Sequence, residues 1–252
     1  MTVFDPFGDY KTQGYLRNIE GLKDDDDLKV QEHAFFEANV ERALTYLHRI
    51  RGPIVYSHFL KVHEILFGEF YPWAGRDRHM LGVGRLVGKG KRIQFEASEL
   101  CQLAVEWGLR LGNDPEVMRV NPGTVMGAFA WGHPFLDGNG RTMLLVHAEL
   151  CARAGFTINW HASRKDDYLN ALSREIENPQ GSHLNDYLGR LIVPAVPQGD
   201  LLNYLQSLPG LDGQQASPAE DIVYHADDPV ANQRYLELKR SRGEPVPLTP
   251  ER

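Results

Sequence analysis

The sequence is short of cysteine, of long apolar runs and of positive charge, and each shortage excludes a class of function. Cys101 and Cys151 are the only cysteines, too few for a disulfide framework or a four-cysteine zinc site. No uninterrupted apolar run approaches the roughly 20 residues of a membrane span, which excludes a transmembrane protein. The N-terminus, MTVFDPFGDYKTQGY, has no basic patch followed by an apolar stretch. No secretory signal is therefore expected, and the cytoplasm is the expected compartment. Lys and Arg number 27 against 34 Asp and Glu, a formal net charge of -7. Coating a nucleic-acid backbone requires a positive footprint, so nucleic acid is not an expected partner. A pocket for a single nucleotide is still compatible with this charge. The acidic run Asp24–Asp27 lacks the spacing and distal Glu of a calcium loop and reads as a solvated helix approach.

Apolar residues make up 42% of the 252 and charged residues 24%, as in one large soluble domain or a domain with an appendage. Residues 28–50 read as an amphipathic helix with Val30, Phe35, Ala38, Val40, Ala43, Leu44 and Leu47 on its apolar face. Ser57 is the expected cap of a second helix, and Pro72 and Gly75 break the pattern at YPWAG. Short apolar strands around Gly88-Lys89-Gly90 predict a β-hairpin at about 85–95. Further helices are expected after Ser98, from Asn121-Pro122, over 139–154 with Gly155 as the stop, after the capping-box-like Ser163-Arg-Lys-Asp166, and over 183–193. Eight of the fifteen prolines fall at or beyond Pro194. Residues 194–252 are therefore expected to be an appendage with one short helix, partly disordered at its end. The expected fold is all-α with a small β-hairpin.

The chemistry concentrates in His133-Pro-Phe-Leu-Asp137-Gly138-Asn139-Gly140-Arg141, between two expected helices. Gly138 and Gly140 permit close backbone approach, and the unpaired N–H groups opening the next helix suit a phosphate. Arg141 adds a planar cationic fork for phosphate oxygens. Asp137 offers a hard oxygen for magnesium, and His133 can take a proton from a hydroxyl near neutral pH. A base, a metal ligand, an anion cradle and a guanidinium within nine residues make a phosphoryl- or nucleotidyl-transfer site. GVGRLVGKG (82–90) lacks the spacing of a phosphate loop and reads as hairpin glycines. His58, His63, His147 and His161 are scattered and read as structural or surface residues.

HPFLDGNGR resembles the signature of the Fic family (filamentation induced by cAMP), and LFGEFYPWAGRDR (66–78) resembles a second segment of that family, in the same order. The resemblance runs from about Tyr15 to about Val193. It implies a Fic domain over residues 1–193 with a core from about 15, and a flap at about 85–95. The implied activity is transfer of AMP from ATP to a Ser, Thr or Tyr hydroxyl of a target protein, with magnesium as cofactor. His133 would deprotonate the hydroxyl, Asp137 would hold magnesium, and Gly138, Asn139, Gly140 and Arg141 would bind the phosphates. Phe135 would anchor the loop, Tyr168 would face the adenine, and the flap would hold the target by strand pairing.

The chain departs from that family at Leu144, where relatives carry a second motif arginine that grips the γ-phosphate. One lost charge-assisted contact costs on the order of 1.5–3 kcal/mol, which weakens the hold on ATP without abolishing activity. The same arginine is the partner of the family's inhibitory glutamate. The one literal match to that inhibitory segment, Ser173-Arg-Glu-Ile-Glu177-Asn178, reads as coincidence within a core helix. Control by a separate small antitoxin, with this chain as the toxin, is the expectation that follows; an injected, secreted effector is the other setting. The competing readings are a phosphotransferase or other nucleotidyl transferase on the same fold, and a catalytically silent nucleotide-binding module.

Overall fold

The computed structural model describes residues 5–7, 16–90, 93–208, 222–225 and 228–245. Residue 15, the hairpin positions 91 and 92, the GQQASPAED segment and the chain end expected to be disordered lie outside them. Apart from the single turn Arg78–Leu81, the α-helices among the described residues are α1 (Asp25–Arg49), α2 (Tyr56–Phe67), α3 (Cys101–Gly112), α4 (Pro115–Val120), α5 (Pro122–Gly132), α6 (Asn139–Arg153), α7 (Lys165–Glu177), α8 (His183–Gly189), α9 (Gln198–Gln206) and α10 (Pro229–Ser241). The strands are β1 (Leu86–Lys89), β2 (Ile93–Gln94), β3 (Phe156–Ile158), β4 (Ile192–Pro194) and β5 (Ile222–His225). No helix of the described residues is long and apolar enough to cross a membrane.

The mainly helical expectation holds, and local chemistry accounts for the helix boundaries. Asp24 caps α1, its carboxylate accepting from the N–H groups of Asp26 and Asp27. Phe36, Val40, Ala43 and Leu47 are buried along α1, whereas Val30, expected on that face, is 66% exposed. α5 is apolar on every side and runs through the centre of the core, packed against α3, α6, α7 and α8. Gly123 makes its contact with α8 possible, since a Cβ there would lie 2.2 Å from the Asn185 backbone nitrogen. The other end of α5 delivers the motif loop, and α6 begins where the loop ends.

Several boundaries differ from expectation. α2 starts at Tyr56, and the Val55 N–H is taken by His58 Nδ1 rather than by a Ser57 cap. Ser163 bonds to the Tyr187 hydroxyl instead of capping α7. A second small sheet, β3 paired antiparallel with β4, follows Gly155 and the shortened α8. The expected hairpin forms as β1 and β2, but β5 pairs antiparallel along the other side of β1, from Leu86 opposite His225 to Lys89 opposite Ile222.

That pairing corrects the reading of residues beyond 193 as an appendage with one helix. Among the described residues there, two helices and a strand form, and α10 buries Tyr235 and Lys239. The buried Glu96 carboxylate accepts from the Tyr235 hydroxyl, from Lys239 Nζ at 2.9 Å and from Trp131 Nε1 at 3.1 Å. A proline count reads backbone bias, not the amphipathic spacing that lets Tyr235 and Lys239 face inward together.

His147 in α6 generates an acid sensitivity. It is buried, donates Nε2–H to the Pro122 carbonyl at 2.8 Å, and burial lowers its pKa from 6.5 to about 4. It is neutral when folded and protonates near 6.5 when unfolded. Its contribution is thus complete above about pH 6.5 and is lost as pH falls towards the folded value. In urea titrations between pH 7.5 and 4.5, His147→Gln is expected to flatten the stability loss by up to about 1.4 kcal/mol per pH unit. Parallel pH profiles for the two proteins would refute this.

Candidate active site

Residues 133–141 form a tight loop held from three sides. His133 follows the last turn of α5 in a left-handed conformation, φ 39° and ψ 56°, which a non-glycine residue adopts only when its surroundings impose it. Arg78 imposes it. Its guanidinium is fully buried, Nε donating to the His133 carbonyl at 2.8 Å, and its backbone N–H donates to the Pro134 carbonyl at 2.8 Å. Phe135 is buried and stacks on His63 with ring centroids 3.7 Å apart. His63 donates Nε2–H to the Asp137 carbonyl at 3.0 Å and accepts the Gly75 N–H on Nδ1 at 2.9 Å. Burial pushes its pKa down to about 3, so this neutral tautomer persists. Asn139 closes the loop internally, its amide bracketing Phe135 with bonds of 2.9 Å to the N–H and 2.8 Å to the carbonyl.

The side chains left over are chemically distinct. The His133 ring stacks on Phe95, 3.8 Å apart and 11° from parallel. Its Nε2 is buried and has no hydrogen-bond partner among the described residues. Burial, then the nearby Arg78 and Lys89 charges, hold its pKa well below the ordinary histidine value. Asp137 is half-exposed and accepts the Gly138 N–H at 2.6 Å. Thr142 is the first to bond back in α6, to the Gly138 carbonyl at 3.0 Å. The N–H groups of Asn139, Gly140 and Arg141 therefore have no intrahelical acceptor. Arg141 pairs with the buried Glu32 of α1, lies 3.8 Å from Asp137 Oδ1, and sits 4.6 Å above the Phe67 ring. Burial raises the Glu32 carboxyl to about 7, against the lowering pull of Arg141.

Among the described residues no group of three or more His, Cys, Asp or Glu side chains is placed to hold a metal ion. Asp137 is a single exposed carboxylate beside an anion cradle. That donor set fits magnesium, which takes most of its ligands from phosphate and water.

His133, Asp137, Gly138, Asn139, Gly140 and Arg141 thus converge, with the Asn139 side chain spent on the loop itself. Tyr168 does not join them. Its ring packs edge-on against Trp160 at 5.1 Å, and it makes no hydrogen bond or ring contact with the loop among the described residues. Leu144 is half-buried against the core. The Ser173–Asn178 segment lies at the end of α7, where Ser173 bonds back to the Leu169 carbonyl. Arg78, Glu32 and Tyr224 escaped the sequence reading. Arg78 stands inside the LFGEFYPWAGRDR segment, which was the available signal. Tyr224 of β5 donates to the Leu136 carbonyl across 88 positions, a pairing no local pattern announces.

Gly138 tests the packing of the loop. It has φ +73°, and an added Cβ would lie 2.5 Å from Phe67 Cε2, on the ring that Arg141 covers. Gly138→Ala is expected to destabilise the fold by about 2–4 kcal/mol through backbone strain and overpacking, measured by chemical denaturation. A parental stability would contradict this packing.

The Fic/DOC family matches residues 53–151. Protein adenylyltransferase VbhT of Bartonella schoenbuchensis is 32% identical over 192 residues, 75% of this chain and 38% of that protein. The chain thus spans under two fifths of that relative's length. Probable protein adenylyltransferase y4lH of Sinorhizobium fredii is 26% identical over 167 residues, 63% of this chain and 82% of that one. Among solved structures, BepC from Bartonella tribocorum with bound AMPPNP superposes with a TM-score of 0.56 at 20% identity, covering 73% of this chain and 95% of that one. The N-terminal Fic domain of a putative cell filamentation protein from Bartonella quintana, with bound ADP, gives 0.56 at 22% identity, covering 73% and 94%. The family match falls on the helices and loop that form the site, and this part of the chain, residues 53–151, belongs to the Fic/DOC family.

Proposed function

We propose that this chain is a protein adenylyltransferase, moving AMP from ATP to a Ser, Thr or Tyr hydroxyl of a target protein. The observation that carries the reading is the unpartnered Nε2 of His133, placed in the same loop as a free helix N-terminus, Asp137 and Arg141. The names of the two curated relatives and the nucleotides bound in the two solved neighbours support it.

In this reading the target hydroxyl oxygen forms a bond to the α-phosphorus while the bond from that phosphorus to the β-phosphate bridging oxygen breaks. Pyrophosphate leaves, and the hydroxyl proton goes to His133 Nε2. The lowered pKa keeps that nitrogen unprotonated at neutral pH. The Asn139, Gly140 and Arg141 N–H groups bind phosphate oxygens, with the Arg141 guanidinium alongside. Asp137 would hold magnesium, which when bound neutralises phosphate charge. Tyr168 is left with its packing role on Trp160.

The hairpin flap holds the target in this reading, with one change. β1 is the central strand, so an incoming segment pairs at the edge of β2 or β5. Leu144 presents no charge to an inhibitory glutamate, which favours control by a separate small antitoxin, with this chain as a cytoplasmic toxin. Targets incubated with ATP are expected to gain the mass of AMP, and His133→Ala to cut the rate by about 100-fold or more. A gain of phosphate, no gain, or near-parental transfer by the alanine variant would each refute the proposal.

A further inference from the structure

We infer that Glu32, in the first helix and outside both sequence motifs, is a positioning residue that keeps Arg141 directed at the phosphates and away from Asp137. The inference rests on the nucleotide-transfer reading. Arg141 is the only cation of the loop, and its guanidinium lies between two rings, 4.6 Å from the Phe67 centroid and 5.6 Å from that of Phe36. An apolar cage of this kind holds a cation only if an anion shares it. Two anions are within reach of the same Nη2 nitrogen. Glu32 takes it in a close hydrogen bond, whereas Asp137 Oδ1 stands 3.8 Å away.

The two carboxylates differ in environment. The Glu32 side chain is 6% exposed and that of Asp137 is 42% exposed. Glu32 extends from the α1 helix, whose Phe36 lies one turn further along and forms one wall of the cage. Burial raises the Glu32 carboxyl, and the neighbouring Arg141 and the buried Tyr71, from the YPWAG segment, oppose that rise. The acid is therefore fixed by both the first helix and the second motif. With its charge removed, the fork has one anion left, Asp137, and closing the 3.8 Å gap would turn the guanidinium and occupy the carboxylate that faces the nucleotide. Glu32 thus reserves Asp137 by holding Arg141 back.

The test is calorimetric titration of ATP with magnesium, and of AMP, into the parental protein, Glu32→Gln, Glu32→Asp, Arg141→Ala and the Glu32→Gln/Arg141→Ala double variant. Glu32→Gln keeps the side-chain shape and an acceptor for the guanidinium. It is expected to weaken ATP about tenfold and AMP less than about twofold, since the loss concerns charge-assisted phosphate contacts. Glu32→Asp, which keeps the charge, should recover most of that loss. In the Arg141→Ala background Glu32→Gln should change ATP affinity less than about twofold, because its effect travels through the missing guanidinium. Unchanged or tighter ATP binding by Glu32→Gln overturns the inference, the tighter case making Glu32 a competitor of the phosphates. Equal losses for ATP and AMP, or an undiminished effect without Arg141, also overturn it by reducing Glu32 to a packing residue. Absence of ATP binding by the parental protein overturns the nucleotide reading, and this inference with it.

Discussion

The site depends on one buried guanidinium. Arg78 lies in the interior and donates to the carbonyls of His133, Gly84 and Glu96, at 2.8, 2.5 and 2.9 Å. Those carbonyls belong to the motif loop, to the segment entering the flap and to the segment leaving it. One planar cation therefore fixes three pieces of backbone relative to one another, which a lysine's single nitrogen cannot do. Each acceptor left bare by its loss would cost about 1–3 kcal/mol. The left-handed backbone of His133 persists because this contact holds its carbonyl.

Phe95 and Glu96 carry the constraint outward. Phe95 turns its ring onto His133, and Glu96 turns its carboxylate to Trp131, Tyr235 and Lys239. The C-terminal helix thereby braces the strand whose end covers the candidate base. β5 does the same for the outer side of the hairpin and reaches the loop through the Tyr224 hydroxyl. The segment that composition marks as separate is thus packed against the site.

Legibility in the sequence followed the range of the interactions. The helices could be read because their apolar spacing, and stops such as Pro72 and Gly155, act within a few residues. The loop could be read because a base, a carboxylate, glycines and an arginine lie within nine positions. Glu32 could not, since its partner is 109 positions away and a lone acid on a helix carries no motif. The pairing of β5 with β1 was equally hidden, because a four-residue strand gives little periodicity. Tyr168, a position carried over from a resemblance, packs against a local partner, Trp160.

Burial and the Arg78 contact hold His133 as a neutral base whose buried Nε2 has no partner among the described residues. A nitrogen NMR pH titration of the histidine side chains in the parental protein and in Arg78→Lys tests it directly. The parental His133 ring is expected to stay neutral well below pH 6.5, the ordinary histidine value. Once Arg78 is replaced, the ring is expected to titrate closer to that value. A parental His133 that titrates at the ordinary value, or one indifferent to the Arg78 substitution, would contradict it.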